Sequence, residues 1–441
     1  MKSHHLISVV AGFVLAMCCA VSVAMASPLE NYGLGAKSIS LAASDVATAT
    51  NYTAGFTNPA GFGLAKDAQF TLGYMYFRNS MKINGEDAGN ENTKGVSLGF
   101  LYPIHINEDW TFGTGLSLYV PEQRVVRVRL LSPDTPRFLQ FDNRVHRLVG
   151  SFTNAVSWKG LSIGIGLNLF AGANGRGALF RMSSGPDQPD LADTDLILSL
   201  KTRIYPSAGI MWQATDWLRV GFYFTDEVQL EIITATDADM DIDLGFDRLT
   251  GYAGAAIEAI TYYTPRIFSF GVEAQPVEGL TLTAAIQYMD WSGFPGVLTI
   301  VTPKIDLDMD TMEVPIEVPL HKYEDQGFDY QITGAFGVEY GFTAVGVRFD
   351  LRAGYKYLPS PLEGLSEEII ILNKERHIIA FGAGFTLPPF AFFLNNTEIN
   401  LGFQYQIMPD GHRDTLPQAS VQSLDYEGQV FGGSADVVLH F

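Results

Sequence analysis

Three bases at even-numbered positions, Arg348, Arg352 and Lys356, with Asp350 between them, are the residues whose types and spacing best suit chemistry. In an extended chain successive side chains alternate between two faces. These four therefore share one face, while Val345, Val347, Phe349, Leu351, Ala353, Tyr355 and Tyr357 share the other. Lys201 and Arg203 share a face in the same way. Guanidinium and ammonium groups gathered on one wall suit a carboxylate head group, which Arg grips in a two-pronged geometry. The competing reading is an internal ladder of ion pairs with Asp350, Glu339 and Glu273. Both readings stay open at this level.

Other constellations carry less. Gly95-Val96-Ser97-Leu98-Gly99 and Gly160-Leu161-Ser162-Ile163-Gly164 both fit G-x-S-x-G. A nucleophile elbow needs a strand-to-helix turn, and both matches fall in or at the start of alternating segments, so no catalytic residue is assigned. Asp237, Asp239, Asp241 and Asp243, like Asp306, Asp308 and Asp310, suggest calcium. The first run lacks the Gly expected at its sixth position and has Arg248 at its twelfth. Solvated loop faces are expected there. Cys18 and Cys19 are the chain's two cysteines, and no histidines stand at metal-ligand spacing. No metal and no cofactor are expected.

The elements that must position these residues read as strands. Period-two alternation marks candidates at 69–82, 94–104, 110–121, 144–158, 161–182, 195–213, 217–234, 265–276, 280–291, 327–340, 343–358, 376–387, 397–407 and 429–441. Leu280, Leu282, Ala284, Ile286 and Tyr288, for instance, alternate with Thr281, Thr283, Ala285 and Gln287. Connections alternate as well. Short turns such as Lys159-Gly160, Val277–Gly279 and Gly341-Phe342 take turns with long loops such as 122–143, 235–264 and 292–326. That is the habit of a membrane barrel. Trp110, Trp158, Trp212 and Trp217 flank short turns, as an interfacial girdle would.

Composition agrees. The chain has 441 residues, is 47% hydrophobic and only 17% charged, yet beyond its N-terminal apolar segment the longest uncharged stretch, which includes Ile378 to Asn396, is broken by Pro388-Pro389. A membrane helix needs about 20 unbroken apolar residues. The fold class expected is all-β: a transmembrane antiparallel up-and-down barrel of about fourteen strands, monomeric, in the outer membrane of a Gram-negative cell among lipid and lipopolysaccharide. A net charge of −20 argues against nucleic acid and anionic membrane surfaces as partners.

Three regions divide the chain. Met1 to Ala26 has Lys2, an apolar core and Ala24-Met25-Ala26 before Ser27, which reads as a cleaved secretory signal. Residues 27–67 are rich in small residues, weakly helical around Ala36 to Ala49, and suit a plug packed against barrel walls. Residues 68–441 form the barrel and finish on alternating Ala435, Val437, Leu439 and Phe441. A terminal Phe of this kind is expected to mark the chain for the barrel-assembly machinery. Two loop segments are candidates for capturing apolar molecules: Tyr252 to Tyr263, read as a short helix, and Val125 to Phe141, where Phe138 and Phe141 would cover the mouth. Loops packing on one another is the alternative.

Tyr32-Gly33-Leu34-Gly35-Ala36-Lys37, Ser44-Asp45-Val46-Ala47-Thr48-Ala49 and Asn58-Pro59-Ala60-Gly61 together resemble the FadL/TodX family of outer-membrane transporters for long-chain fatty acids and other hydrophobic compounds. Ser40 and Ala42-Ala43 depart from it, standing where relatives often carry glycine. The resemblance implies an N-terminal hatch plugging a fourteen-stranded barrel and ending at the NPA motif. It also implies passive uptake: capture by external loops, a lumen site against the hatch, and sideways release at an inwardly kinked third strand. On that reading Gly113 and Gly115 leave room for a bulge or close backbone approach. Asn58, Pro59 and Ala60 would brace the kink. A general porin and an outer-membrane lipid hydrolase are the alternatives. A porin needs no hatch, and a hydrolase needs Ser with His or Asp on the outer wall.

Overall fold

Alternation of period two, which lets a strand turn one face to lipid and one inward, is realised in fourteen strands that pair antiparallel in chain order and close on themselves. They are β1 (Gln69–Ile83), β2 (Thr93–His105), β3 (Trp110–Pro121), β4 (Val149–Trp158), β5 (Leu161–Arg176), β6 (Ile197–Thr215), β7 (Leu218–Thr225), β8 (Arg266–Val277), β9 (Leu280–Asp290), β10 (Gln331–Ala344), β11 (Val347–Leu358), β12 (Arg376–Leu387), β13 (Thr397–Asp414) and β14 (Ser423–His440). The seam between β14 and β1 runs in continuous register from Gln69↔His440 to Ile83↔Tyr426. The computed structural model describes residues 28–122, 136–142, 147–176, 179–184, 197–243, 248–294, 299–309, 312–313, 328–362, 371–389, 395–414 and 423–441. The expected signal, Asp310 and most of Val125 to Phe141 lie outside these.

Outward positions are apolar: Leu72, Phe100, Ile165, Phe270, Phe336, Phe381 and Phe403 are exposed, while their strand neighbours are buried. Trp110 stacks on Trp158 at 6.0 Å beside the short turns. Every candidate strand has its counterpart, but three details differ. The turn expected at Gly341-Phe342 lies at Val345-Gly346, whose φ angles of 54° and 76° give the tight primed turn that antiparallel twist favours. Gly341 stays in β10, opposite Asp350. Val345 is therefore a turn residue rather than part of the outward row.

The seventh strand ends at Thr225, not 234, because the chain leaves the barrel for a second sheet. Val228–Asp243, Arg248–Thr264 and Thr299–Met309 form its centre, with Leu179–Ser184 and Met312–Glu313 at its edges. Tyr252 to Tyr263 is thus strand, not helix: small residues that tolerate a helix are fixed by pairing on both sides. Asp237 to Asp243, Asp306 and Asp308 likewise lie in strands rather than loops.

The N-terminal segment folds as three short helices, α1 (Pro28–Tyr32), α2 (Ala36–Ser40) and α3 (Ala54–Thr57), then a tight helical turn over Pro59–Leu64. Most of its residues are buried, and many lie against inward-facing glycines of the wall. A Cβ added at Gly402, Gly382, Gly354, Gly337, Gly271, Gly209, Gly164 or Gly113 would come within 2.7 Å of Ala36, Ser40, Leu41, Ser44, Val46, Asn58, Pro59 and Phe62 respectively. Several of these glycines face one another across strands, as in Gly164↔Gly209, Gly337↔Gly354 and Gly382↔Gly402. The wall lacks side chains where the segment's own atoms fill the lumen.

No bulge or register shift interrupts β3, the strand expected to kink. Its register is unbroken to β2 from Gly95↔Pro121 to His105↔Thr111, and to β4 from Trp110↔Trp158 to Tyr119↔Val149. Gly113 and Gly115 serve the close approach instead, receiving the Phe62 carbonyl and ring. Asn58 braces other strands: its Nδ2 donates to the Ile210 carbonyl of β6 at 3.2 Å and to Val46 O at 2.9 Å. Its Oδ1 accepts from the Ala60 amide, and Pro59 and Ala60 lie over Gly164 of β5.

Candidate functional site

The bases singled out in the sequence divide according to the side of the N-terminal segment on which they lie. Arg352 of β11 is buried, and its Nε donates to Glu339 Oε2 at 2.5 Å while Nη1 donates to Asn400 Oδ1 at 2.7 Å. Its Nη2 also stands 3.9 Å from Asp350 and 4.0 Å from Glu398. Lys37 of the N-terminal segment joins Glu339 at 3.3 Å, and Arg348 joins Asp350 at 3.0 Å. For Arg348 and Arg352 the ion-ladder reading holds, except that Glu273 pairs with Arg219 of β7 at 2.9 Å instead. These acids hold the charges of both bases on the short-turn side.

Lys356, one strand-turn further along β11, has a different setting. It is buried and its Nζ donates to Gln287 Oε1 at 3.0 Å, with no carboxylate within ion-pair distance among the described residues. It lines a cavity of about 80 Å³ with Glu30, Leu34, Ser38, Thr225 and Met289. Glu30 in that lining and Asp45 of the N-terminal segment attract the ammonium across space without closing an ion pair. Arg203 of β6 has the parity of buried Tyr205 and Ser207 but is itself exposed, and Lys201 is placed only by its strand.

A second buried cation escaped the sequence reading. Arg376 opens β12 and donates to three amide oxygens: Gln140 at 2.6 Å, Asn31 at 3.0 Å and Gln406 at 3.1 Å. Its guanidinium lies 5.0 Å from the centre of the Phe141 ring. Beside it Phe138 and Phe141 join Tyr32, Leu34, Ile39, Phe77, Met81 and Met408 in one apolar cluster. Burial pushes the Tyr32 phenol up to about 12, so it remains a neutral donor, to Asn79 at 2.9 Å. Nothing in the sequence marked Arg376, because its partners come from three distant segments. Phe138 and Phe141 do cover the lumen, but as core rather than as exposed bait.

Ser97 and Ser162 sit in β2 and β5 with inward side chains, Ser97 accepting from Tyr52 at 3.0 Å and Ser162 donating to Ala60 O at 2.6 Å. Neither stands at a strand-to-helix turn, so neither G-x-S-x-G match is a nucleophile elbow. No cluster of metal-binding side chains occurs among the described residues.

The family model "Outer membrane protein transport protein (OMPP1/FadL/TodX)" matches residues 17–437. Among solved structures, the toluene transporter TodX of P. putida shares 16% identity at a TM-score of 0.53, over 93% of this chain and 99% of that one. The toluene transporter TbuX of Ralstonia pickettii shares 13% at 0.53, over 93% and 99%. A FadL homologue of Pseudomonas aeruginosa shares 14% at 0.51, over 96% and 98%. At such identities the likeness is one of fold. No curated protein sequence matches the chain.

Proposed function

Because the chain belongs to the OMPP1/FadL/TodX family of outer-membrane transport proteins, we propose that it carries hydrophobic molecules passively through the outer membrane. We further assign it a preference for molecules that end in an anionic group. One observation carries this reading. The short-turn side holds Arg348 and Arg352 in carboxylate pairs, whereas on the other side of the N-terminal segment Arg376 has only neutral hydrogen-bond partners beside an apolar cluster, and Lys356 bonds Gln287 with Glu30 lining its cavity. An amphiphile such as a long-chain fatty acid supplies both what the walls favour, about 0.8 kcal/mol per buried methylene, and the missing charge. A plain aromatic hydrocarbon supplies only the first.

Residues 28–66 act on this reading as a hatch. They fill the lumen that a general porin would leave open. The cavity beside Lys356, at about 80 Å³, is roughly half the 150 Å³ that admits benzene into an apolar protein cavity. Transport therefore requires the surrounding segments to give way. An unbroken β3 ladder offers no standing side exit, so movement of the hatch is the step that opens a path.

Deletion of the gene should reduce uptake of a long-chain fatty acid at low external concentration, and restoring it should recover uptake. The Lys356→Met variant should lower fatty-acid uptake at least several-fold while sparing toluene uptake. Equal uptake with and without the protein for both compounds overturns the proposal. Toluene loss alone overturns the anionic preference.

A further inference from the structure

Arg376 is already occupied, and the occupant has the chemistry of a ligand. The stretch 136–142, between β3 and β4, places the Gln140 amide oxygen on the guanidinium at 2.6 Å. It buries Phe138 and Phe141 in the apolar cluster over the N-terminal segment. A polar oxygen on a buried cation with apolar rings beside it is the outline of an amphiphile. At the backbone, Leu372 N donates to Arg137 O at 2.8 Å, and Asn31 Nδ2 donates to Gln140 O at 2.7 Å. Asn31 belongs to α1, so the loop, the wall and the start of the N-terminal segment meet at one guanidinium.

We propose that residues 136–142 are an internal surrogate ligand, and that an anionic amphiphile loads by displacing Gln140 from Arg376 and the two phenylalanines from the apolar cluster. This rests on the transport reading above. The exchange is favourable in one direction only. A carboxylate replaces a neutral amide oxygen on a buried guanidinium, adding the opposite charge and a two-pronged acceptor geometry. The ligand's tail refills the apolar space. A neutral hydrocarbon refills the space but strips Arg376 of an acceptor, so it does not evict the loop. Because Asn31 also donates to Gln140, eviction removes one of the restraints on α1, which couples loading to the N-terminal segment.

The test uses the full mature chain, whose residues 27–441 contain no cysteine. Arg137 and Ile371 form an isolated bridge between the loop and the segment that leads into β12. The double variant Arg137→Cys/Ile371→Cys is purified in detergent and titrated calorimetrically with decanoate and with decanol, oxidised and reduced. Decanoate affinity should fall at least tenfold on oxidation and recover on reduction, with decanol binding weaker than decanoate in the reduced protein. In parallel, Gln140→Glu should weaken decanoate binding at least tenfold by supplying the loop with its own carboxylate, and Gln140→Ala should strengthen it. Equal decanoate binding in the oxidised and reduced protein, or unchanged binding in both Gln140 variants, overturns the surrogate while leaving transport intact. Binding of neither compound in either state overturns both.

Discussion

Arg352 and Lys356 are four residues apart on one face of one strand, and their different fates show that a residue's role follows its neighbours. Arg352 lies against Glu339, Asp350 and Glu398, whereas Lys356 bonds the neutral Gln287 in a cavity whose lining carries one carboxylate, Glu30. Two hatch positions are strained. Ala42 and Ala43 have φ angles of 52° and 59°, a left-handed conformation costing roughly 1–2 kcal/mol per non-glycine residue. Ala42→Gly and Ala43→Gly should each stabilise the segment by about 1 kcal/mol, seen as slower hydrogen exchange over residues 38–46. Unchanged or faster exchange would contradict the strain.

Asp45, in the same segment, is buried with Ser38 Oγ donating to it at 3.0 Å, and burial raises its carboxyl above the ordinary range. A carboxyl whose pKa rises on folding binds its proton more tightly in the folded state. Its burial penalty therefore applies above the raised pKa and fades as pH falls toward the unfolded value of about 3.9. Asp45→Asn should protect residues 28–66 from protease better than wild type at pH 8, with the advantage shrinking toward pH 4. An advantage that grows on acidification would reverse the assignment.

At the scale of elements, the glycines of the wall form one device. Gly164 of β5 leaves room for the backbone of Pro59 and Ala60, so a side chain there must displace the hatch rather than a flexible neighbour. Gly164→Val should cost the hatch about 1–3 kcal/mol through overpacking and leave it open to protease, while the barrel keeps its heat-modifiable mobility. Gly334→Val, at a position with no atom within 4 Å of the added Cβ, should change neither. Protease resistance equal in both variants would show that the hatch does not lie on Gly164. The strands were legible because alternation repeats within each one. The turn at Val345-Gly346 was not, since a β-branched residue rarely takes positive φ. The strand at Arg248–Thr264 was not either, because its partners are remote in sequence.

For the whole molecule, closure is the decisive property: an open sheet edge has no place in lipid. Leu72 and Val437 are cross-strand partners at the seam. With no native cysteine after residue 26, Leu72→Cys/Val437→Cys should form an intramolecular disulfide in membranes, visible after heat denaturation as a mobility shift removed by reductant. Failure to crosslink would place the two ends apart.

The sequence by itself determined the barrel, its strand count, the alternation of short and long connections and the family motifs, because each is written in local periodicity or a contiguous stretch. Only the tertiary structure decided which bases are neutralised and which are not, that Asn58 braces β6 rather than β3, that a second sheet leaves the barrel after Thr225, and that Arg376 gathers Asn31, Gln140 and Gln406. Whether a buried charge is paired depends on groups within a few ångströms, and around a closed barrel those groups come from chain segments hundreds of residues apart, where no local pattern links them.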